Sequence, residues 1–186
     1  MQDLIIKKER IVFADSLVIN KAEIDAGKKT FSRLCLKRED TAAVLILNTD
    51  SDMIILTRQF RYPLANKTAE NILEIVAGKI EKEEDPMQTA IREVLEETGY
   101  KIASGNIKPL FSCFSSPGYS SERFFIYYAT VTNADKVSDG GGKESENEFI
   151  DVVPIKRKEF FAMLKDGSIK DAKTFLAAMF LSLNPS

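Results

Sequence analysis

The sequence predicts a compact domain of mixed α/β or α+β class, with a small appendage of strands at its N-terminus. Short apolar runs of strand length recur along the chain, an amphipathic helix is predicted in its middle, and two more helices at its end. With 186 residues, of which 44% are hydrophobic and 29% charged, the chain can bury a core of ordinary size.

The first 40 residues are predicted to form short, mostly polar strands. Apolar residues cluster at 11–13, 17–19 and 31–36, and residues 25–29 have the composition of a hairpin turn. Because these few apolar residues cannot form an independent core, this segment should pack on the rest of the chain or on a partner subunit. We therefore divide the chain into an N-terminal β extension, residues 1–40, and a main domain, residues 41–186.

The strands of the main domain are predicted from short apolar runs between turn residues. The runs at 42–47 and 53–57 flank a turn at 48–52, and another strand at 72–77 ends at Gly78. Later strands are expected at 110–114, 123–131 and 150–153, with a polar loop at 115–122.

The clearest helix spans residues 85–98. Asp85 can cap it, Pro86 suits its first position, Gln88 stands at a capping-box position, and Gly99 can end it. Ala90, Ile91, Val94 and Leu95 supply its apolar stripe. Two terminal helices are expected at 156–165 and 171–183.

Composition excludes several classes of function. A net charge of −2 and a pI near 5.4 are unlike a dedicated nucleic-acid-binding protein, and no apolar run is long enough to cross a membrane. Histidine is absent, which excludes catalysis by Ser-His or Cys-His and zinc ligation by histidine. Cys35 and Cys113 cannot form a disulfide framework, which favours a reducing cytoplasm. A catalytic acid, base or metal ligand here should be a carboxylate.

The predicted central helix carries a cluster of acidic residues. Glu93, Glu96 and Glu97 stand at i, i+3 and i+4, which places the three carboxylates on one face. Repulsion between them, and their position near the helix C-terminus, both cost free energy. A hard divalent cation would offset these costs through oxygen ligands. A solvated acidic face is the alternative.

The residues around this cluster form a longer motif. From Gly78 the chain reads Gly-Lys-Ile-Glu-Lys-Glu-Glu-Asp-Pro-Met-Gln-Thr-Ala-Ile-Arg-Glu-Val-Leu-Glu-Glu-Thr-Gly-Tyr. This resembles the signature of the Nudix hydrolases, G-x5-E-x7-R-E-U-x-E-E-x-G-U, where U is a bulky apolar residue. Every fixed position matches, and only Tyr100 departs, by being aromatic rather than aliphatic. The matching residues are Gly78, Glu84, Arg92, Glu93, Glu96, Glu97 and Gly99.

This resemblance implies a Nudix fold, a mixed β-sheet sandwiched between helices, and metal-dependent cleavage of a nucleoside diphosphate linked to another moiety. It implies that Glu93, Glu97 and the carbonyl of Ala77 are metal ligands. Glu96 would be a further ligand or near-ligand, and Arg92 would orient the glutamates. The remaining motif residues would support the site. Gly78 would let the backbone approach the metal, Glu84 would contribute to the metal shell or hold the loop before the helix, and Gly99 would end the helix.

More of the chain resembles one branch of that family, the ADP-ribose and nucleotide-sugar pyrophosphatases. Residues 74–78, Glu-Ile-Val-Ala-Gly, are similar to its E-x-P-A-G entry to the motif, and residues 116–122 to its S-P-G-x-x-x-E loop. Asp171-Ala-Lys-Thr resembles the start of its C-terminal helix. The substrate contacts predicted on this basis are Arg38, Arg61, Lys79, Ser116, Pro117, Gly118 and Glu122.

The catalytic base of this branch is usually a glutamate on a mobile loop after the motif. Here the corresponding stretch is Glu146-Asn-Glu-Phe-Ile. The resemblance implies that Glu146 is the base and Glu148 an extra metal ligand, with the glycines at 140–142 giving the loop its mobility. An acidic, glycine-rich surface loop without function is the alternative.

The resulting functional hypothesis is Mg²⁺-dependent hydrolysis of ADP-ribose or a related nucleotide sugar, with Mn²⁺ as an alternative metal. The products would be a nucleoside monophosphate and a sugar phosphate. Hydrolysis of GDP-mannose or a UDP-sugar, removal of oxidised nucleoside triphosphates, and a sensor that binds ADP-ribose without cleaving it remain open. We expect a cytoplasmic homodimer joined through the N-terminal strands, without nucleic-acid or membrane partners.

Overall fold

The structure is a computed structural model that describes residues 4–68 and 70–184, apart from the side chain of Glu146. The chain forms two compact units. The first consists of Met1–Asp40 and Cys113–Phe124, and the second of Thr41–Ser112 and Phe125–Ser186. The first unit therefore contains residues 113–124 in addition to the N-terminal segment.

The N-terminal strands of the first unit form an antiparallel sheet in chain order. These are β1 (Ile5–Ala14), β2 (Val18–Asp25) and β3 (Thr30–Lys37). Strand β1 begins six residues before the predicted start at residue 11, because its polar first half pairs with β2, Ile5 lying opposite Asp25. In the predicted turn between β2 and β3, Gly27 has a φ of 74° and donates its N–H to the Asp25 carboxylate at 2.7 Å.

The larger sheet has its strands in the order β10-β5-β4-β9-β8, with β6 paired to β5 and β7 to β4. Their bounds are β4 (Thr41–Asn48), β5 (Met53–Arg58), β6 (Leu73–Glu74), β7 (Val76–Lys79), β8 (Ile107–Phe114), β9 (Arg123–Val131) and β10 (Asp151–Lys156). Non-consecutive strands lie side by side, so residues distant in sequence meet in this sheet.

The single strand predicted at residues 72–77 is wrong, because the structure divides it into β6 and β7. The division falls at Ile75, whose N–H donates to the Thr174 hydroxyl at 2.8 Å instead of continuing a strand ladder. Strand β6 then pairs with β5 while β7 pairs with β4.

The helices confirm the predicted ones to within a residue or two at their ends. They are α1 (Pro86–Thr98), α2 (Arg157–Asp166) and α3 (Ala172–Leu183). At the start of α1 the Asp85 carboxylate accepts hydrogen bonds from the backbone of Met87 and Gln88, and at its end Gly99 has a left-handed φ of 71°. None of the helices in the described ranges is long and apolar enough to span a membrane.

Strand β4 lies at the centre of the core and is buried along its whole length. Because side chains alternate along a strand, one of its faces carries Ala42, Val44 and Ile46, which join the apolar cluster around α1. Its other face carries Ala43 and Leu45, and α3 also packs on β4. This helix–sheet–helix layering places α1 directly over β4 and β7.

Candidate active site

The site is built where β7 passes beneath the middle of α1. Gly78, in β7, faces Glu93 of α1 so closely that a methyl group at residue 78 would overlap the Glu93 carboxyl group. Only glycine, which lacks a Cβ atom, allows this approach. The backbone of β7 therefore lies directly against the acidic face of the helix.

Two of the helix glutamates are buried, and one of them is poorly solvated and poorly paired. Glu97 is only 3% exposed, and its Oε2 has no hydrogen-bond partner in the described part of the chain. Burial raises the pKa of Glu97 to about 8, and the charges of Glu93 and Glu148 add to this rise. Burial likewise raises the pKa of Glu93. This face of α1 thus disfavours the ionised form of Glu97 unless a positive charge lies beside it.

Arg92 neutralises part of this charge from one side. Its guanidinium binds Glu84 through two hydrogen bonds of 3.0 Å and donates to Glu93 at 2.7 Å and to Glu96 at 3.2 Å. The hydrogen bonds from Arg92 lower the pKa of Glu84 to about 2. One arginine therefore fixes the loop before α1 to the acidic face, while Glu97 lies outside its reach.

The glycines at 140–142 close the C-terminal end of α1. All three have positive φ angles of 76°, 107° and 81°. Gly141 donates its N–H to the carbonyl of Glu97 at 2.8 Å, and Gly142 to that of Glu96 at 3.1 Å. These bonds satisfy carbonyls that the helix leaves without partners. Gly140 also packs so closely against the backbone of Glu97 and Thr98 that a Cβ atom there would overlap it. The mobility predicted for these glycines stays a prediction.

The loop after these glycines adds a fourth carboxylate to the face. Glu148 accepts a hydrogen bond from the backbone of Lys143 at 3.0 Å, and its charge raises the pKa values of both Glu93 and Glu97. The Lys143 ammonium group pairs with Glu96 at 2.9 Å. The structure thus brings Glu148 to the acidic face, whereas the side chain of Glu146 lies outside the described residues.

A positive group approaches from the loop before β6. Arg61 forms a two-point ion pair with Glu74, with Nε and Nη2 at 2.8 and 3.1 Å from its carboxylate oxygens. Burial lowers the pKa of Arg61, but Glu74 and then the charges of Glu97 and Asp171 raise it. Lys79 lies exposed at the end of β7. Of the predicted substrate residues in the second unit, the structure thus brings Arg61 to the carboxylates.

The other predicted substrate residues lie in the first unit. Arg38 pairs with Glu122 at 3.8 Å, and its backbone exchanges two hydrogen bonds of 2.9 Å with the Ser121 hydroxyl. In the predicted loop, the Ser116 carbonyl accepts hydrogen bonds from Tyr119 and Ser120. These bonds make a tight turn at Pro117 and Gly118, where a Cβ atom on the glycine would meet only open space.

Comparison with known proteins identifies the family. A model of the NUDIX domain matches residues 37–177, which is most of the chain. The chain belongs to the NUDIX family. The predicted membership, fold class and enzyme class are thereby confirmed.

Relatives of this NUDIX chain carry three different names. It is 31% identical over 185 residues to an ADP-ribose pyrophosphatase of Bacillus subtilis (98% of this chain, 94% of the relative). It is 37% identical over 141 residues to a GDP-mannose pyrophosphatase of Pectobacterium atrosepticum (75% and 70%). A methanol dehydrogenase activator of Bacillus methanolicus is 32% identical over 178 residues (96% and 91%).

A solved structure supports the NUDIX fold. The crystal structure of an ADP compounds hydrolase superposes with a TM-score of 0.77, covering 98% of this chain and 94% of its own. Because its sequence identity is only 18%, this likeness concerns the fold alone.

NUDIX hydrolases generally use a divalent metal, and the acidic face fits one. Among the described side chains, no group of three acidic or cysteine residues is already arranged to hold an ion. However, the donors are all hard oxygens, and the buried Oε2 of Glu97, which no described residue pairs with, fits a positive partner. Glu93 and Glu97, with Ala77 beneath them in β7, are the residues that would hold the ion.

Two lysines of this region were missed in the sequence. Lys143 pairs with Glu96, and Lys173 of α3 pairs with Asp171 at 2.7 Å and with Glu74 at 3.2 Å. Lys143 follows the glycines that close α1, and Lys173 lies between Asp171 and the apolar run of α3. The signal for Lys173 that the sequence offered was a basic residue at the start of an otherwise apolar helix.

We predict that Gly78→Ala disables the site, because the added methyl group must displace Glu93. Activity should fall about 10- to 100-fold, as is typical when a ligand loses its support. Gly105→Ala is the matched control, because a Cβ atom there meets nothing within 4 Å. Steady-state rates of both variants, with thermal unfolding as a check of folding, test this. Wild-type rates in Gly78→Ala would show that the close approach is unimportant.

Proposed function

We propose that this NUDIX enzyme hydrolyses the pyrophosphate bond of ADP-ribose or a related nucleoside diphosphate sugar, using Mg²⁺ with Mn²⁺ as an alternative. The observation that carries the proposal is the buried Glu97 carboxylate, near Glu93 and Glu148, whose Oε2 has no hydrogen-bond partner among the described residues. Such an arrangement is unfavourable in isolation and becomes favourable with a divalent cation and the phosphates it binds.

Each acidic residue has a distinct part in the proposed reaction. Glu93, Glu97 and the Ala77 carbonyl hold the cation, Glu96 assists them, and Arg92 keeps the glutamates oriented. When bound, the cation neutralises charge on the phosphates and activates water. Water adds across the P–O–P bridge, so that ADP-ribose gives AMP and ribose 5-phosphate.

The proton of the attacking water goes to a loop glutamate. We assign this role to Glu146, as the resemblance implies, and assign Glu148 as an extra metal ligand. The position of Glu148 supports its part, because its charge acts on both Glu93 and Glu97.

The substrate is held by positive and polar groups outside the acidic face. Arg61 is the principal candidate for the phosphates, because Glu74 holds its guanidinium through Nε and Nη2 while the side chain stays 40% exposed. Lys79, Arg38, Ser116, Pro117, Gly118 and Glu122 remain proposed contacts on the family resemblance.

ADP-ribose is the first candidate substrate, and GDP-mannose the second, because relatives with both names match most of this chain. The acidic residues needed for catalysis are all present. A sensor that binds without cleaving is therefore not favoured.

We predict that one nucleotide sugar is cleaved rapidly in a panel of ADP-ribose, GDP-mannose, UDP-glucose, diadenosine polyphosphate and an oxidised nucleoside triphosphate with Mg²⁺. Mass spectrometry should show the monophosphate and sugar phosphate as products. Glu97→Gln should lower kcat by about 100-fold or more, because it removes a ligand charge. Glu159→Gln, an exposed glutamate of α2, is the control. Tight ADP-ribose binding without cleavage would instead identify a sensor.

We also propose that the protein is a homodimer joined through the N-terminal strands. Strand β1 is exposed along its whole length, and Ile6 and Ile11, 65% and 60% exposed, are among its large apolar side chains. Such a surface is typical of a protein–protein contact.

Light scattering at micromolar concentration should therefore give about twice the chain mass of 20.9 kDa. The double variant Ile6→Lys/Ile11→Lys should shift the mass to that of one chain, because charges would be buried without partners. Lys8→Gln/Arg10→Gln, in the same strand, serves as the control. A wild-type monomer would refute the dimer.

We place the enzyme in a reducing cytoplasm. In the described part of the chain, Cys35 and Cys113 form no disulfide, which supports this location.

A further inference from the structure

We propose that Lys173 is a positioning residue that keeps the Arg61 guanidinium turned toward the substrate phosphates. This inference rests on the proposed function, because it assigns to Arg61 the task of binding phosphate. Lys173 itself lies behind Glu74 and acts through it, without touching the substrate.

Lys173 lies inside a row of paired charged side chains that is mostly buried. Its ammonium group is 2.7 Å from Asp171 Oδ1 and 3.2 Å from Glu74 Oε2, and Glu74 in turn holds Arg61. The side chains of Lys173, Glu74 and Asp171 are only 13%, 5% and 9% exposed, whereas that of Arg61 is 40% exposed. This row of charged side chains thus runs from the buried start of α3 outward to the Arg61 guanidinium, which solvent can reach.

The ion pair leaves much of Arg61 available for a ligand. Nε and Nη2 each give one hydrogen bond to Glu74, and the other three N–H groups have no acceptor among the described residues. A guanidinium held through one edge presents its other edge in a fixed direction, which suits a phosphate group. The charge of Glu97 raises the pKa of Arg61, so the guanidinium lies in the same region as the acidic face.

Within this set of four side chains, the positive charges of Arg61 and Lys173 face the negative charges of Glu74 and Asp171. Removing Lys173 alone would leave two buried carboxylates for one arginine. Asp171 already acts on Arg61 electrostatically. The guanidinium would then be drawn inward toward Asp171, away from the substrate.

Thr174 holds the Asp171 carboxylate and the backbone next to Glu74 in place. Asp171 caps α3 by accepting hydrogen bonds from the backbone and hydroxyl of Thr174 at 2.9 and 2.7 Å. The same hydroxyl accepts the N–H of Ile75, the residue after Glu74, at 2.8 Å. The Asp171 carboxylate and the backbone next to Glu74 therefore stay fixed when the lysine is removed, and we expect Arg61 to be the side chain that moves.

Lys173→Met tests this, because methionine keeps an unbranched apolar side chain and removes the charge. With the nucleotide sugar that the wild type cleaves, KM should rise about tenfold while kcat stays within about threefold. Lys165→Met, an exposed lysine of α2, is the matched control and should leave both constants unchanged.

A charge-neutral double variant separates positioning from simple packing. Asp171→Asn/Lys173→Met restores the balance of one carboxylate and one arginine, and asparagine still caps a helix. We expect the KM of this double variant to fall back close to that of the wild type. It also keeps the inference testable if Lys173→Met alone does not fold, because the double variant has no unpaired buried charge.

The outcomes separate the inference from the function on which it rests. If the wild type is active and Lys173→Met keeps its KM, or if Asp171→Asn/Lys173→Met has a KM as high as the single variant, the positioning role is wrong and the proposed function stands. If the wild type neither cleaves nor binds any nucleotide sugar, by rate and by calorimetry, the proposed function falls and the inference with it.

Discussion

The crowding of carboxylates on one face of α1 is the constraint on which the candidate site depends. Glu93 and Glu97 are buried there beside Glu96 and Glu148, and the pKa of Glu97 rises to about 8 because of burial and its acidic neighbours. A fold that buries like charges together loses free energy unless a cation balances them. We interpret this cost as the physical basis of metal binding.

Residues around the acidic face hold its carboxylates close together. Gly78 allows a strand to lie against Glu93, and Arg92 compensates one side of the face without reaching Glu97. Backbone N–H groups of Gly141 and Gly142 close the end of the helix and bring the following loop with Glu148. The result is a site in which some carboxylates are paired, while Oε2 of Glu97 has no hydrogen-bond partner among the described residues.

Local patterns predicted α1, whose caps and glutamate spacing are all contained within about four turns of one helix. The pairing of Lys143 with Glu96 and of Lys173 with Glu74 was not predictable in this way. These partners are far apart in sequence, the second pair by 99 residues, and meet only through the tertiary fold. The break at Ile75 was missed for the same reason, since its cause is the Thr174 hydroxyl. Short-range periodicity carries no information about such contacts.

Metal-dependent thermal unfolding of Glu97→Gln tests the central claim most directly. If buried like charges create the need for a cation, then at a pH above the Glu97 pKa of about 8 the metal-free variant should unfold at the same or a higher temperature than the metal-free wild type. The reason is that a neutral amide replaces a buried carboxylate whose Oε2 has no hydrogen-bond partner among the described residues. Added Mn²⁺ should raise the unfolding temperature of the wild type and leave that of the variant nearly unchanged. An equal rise in both proteins would contradict the account.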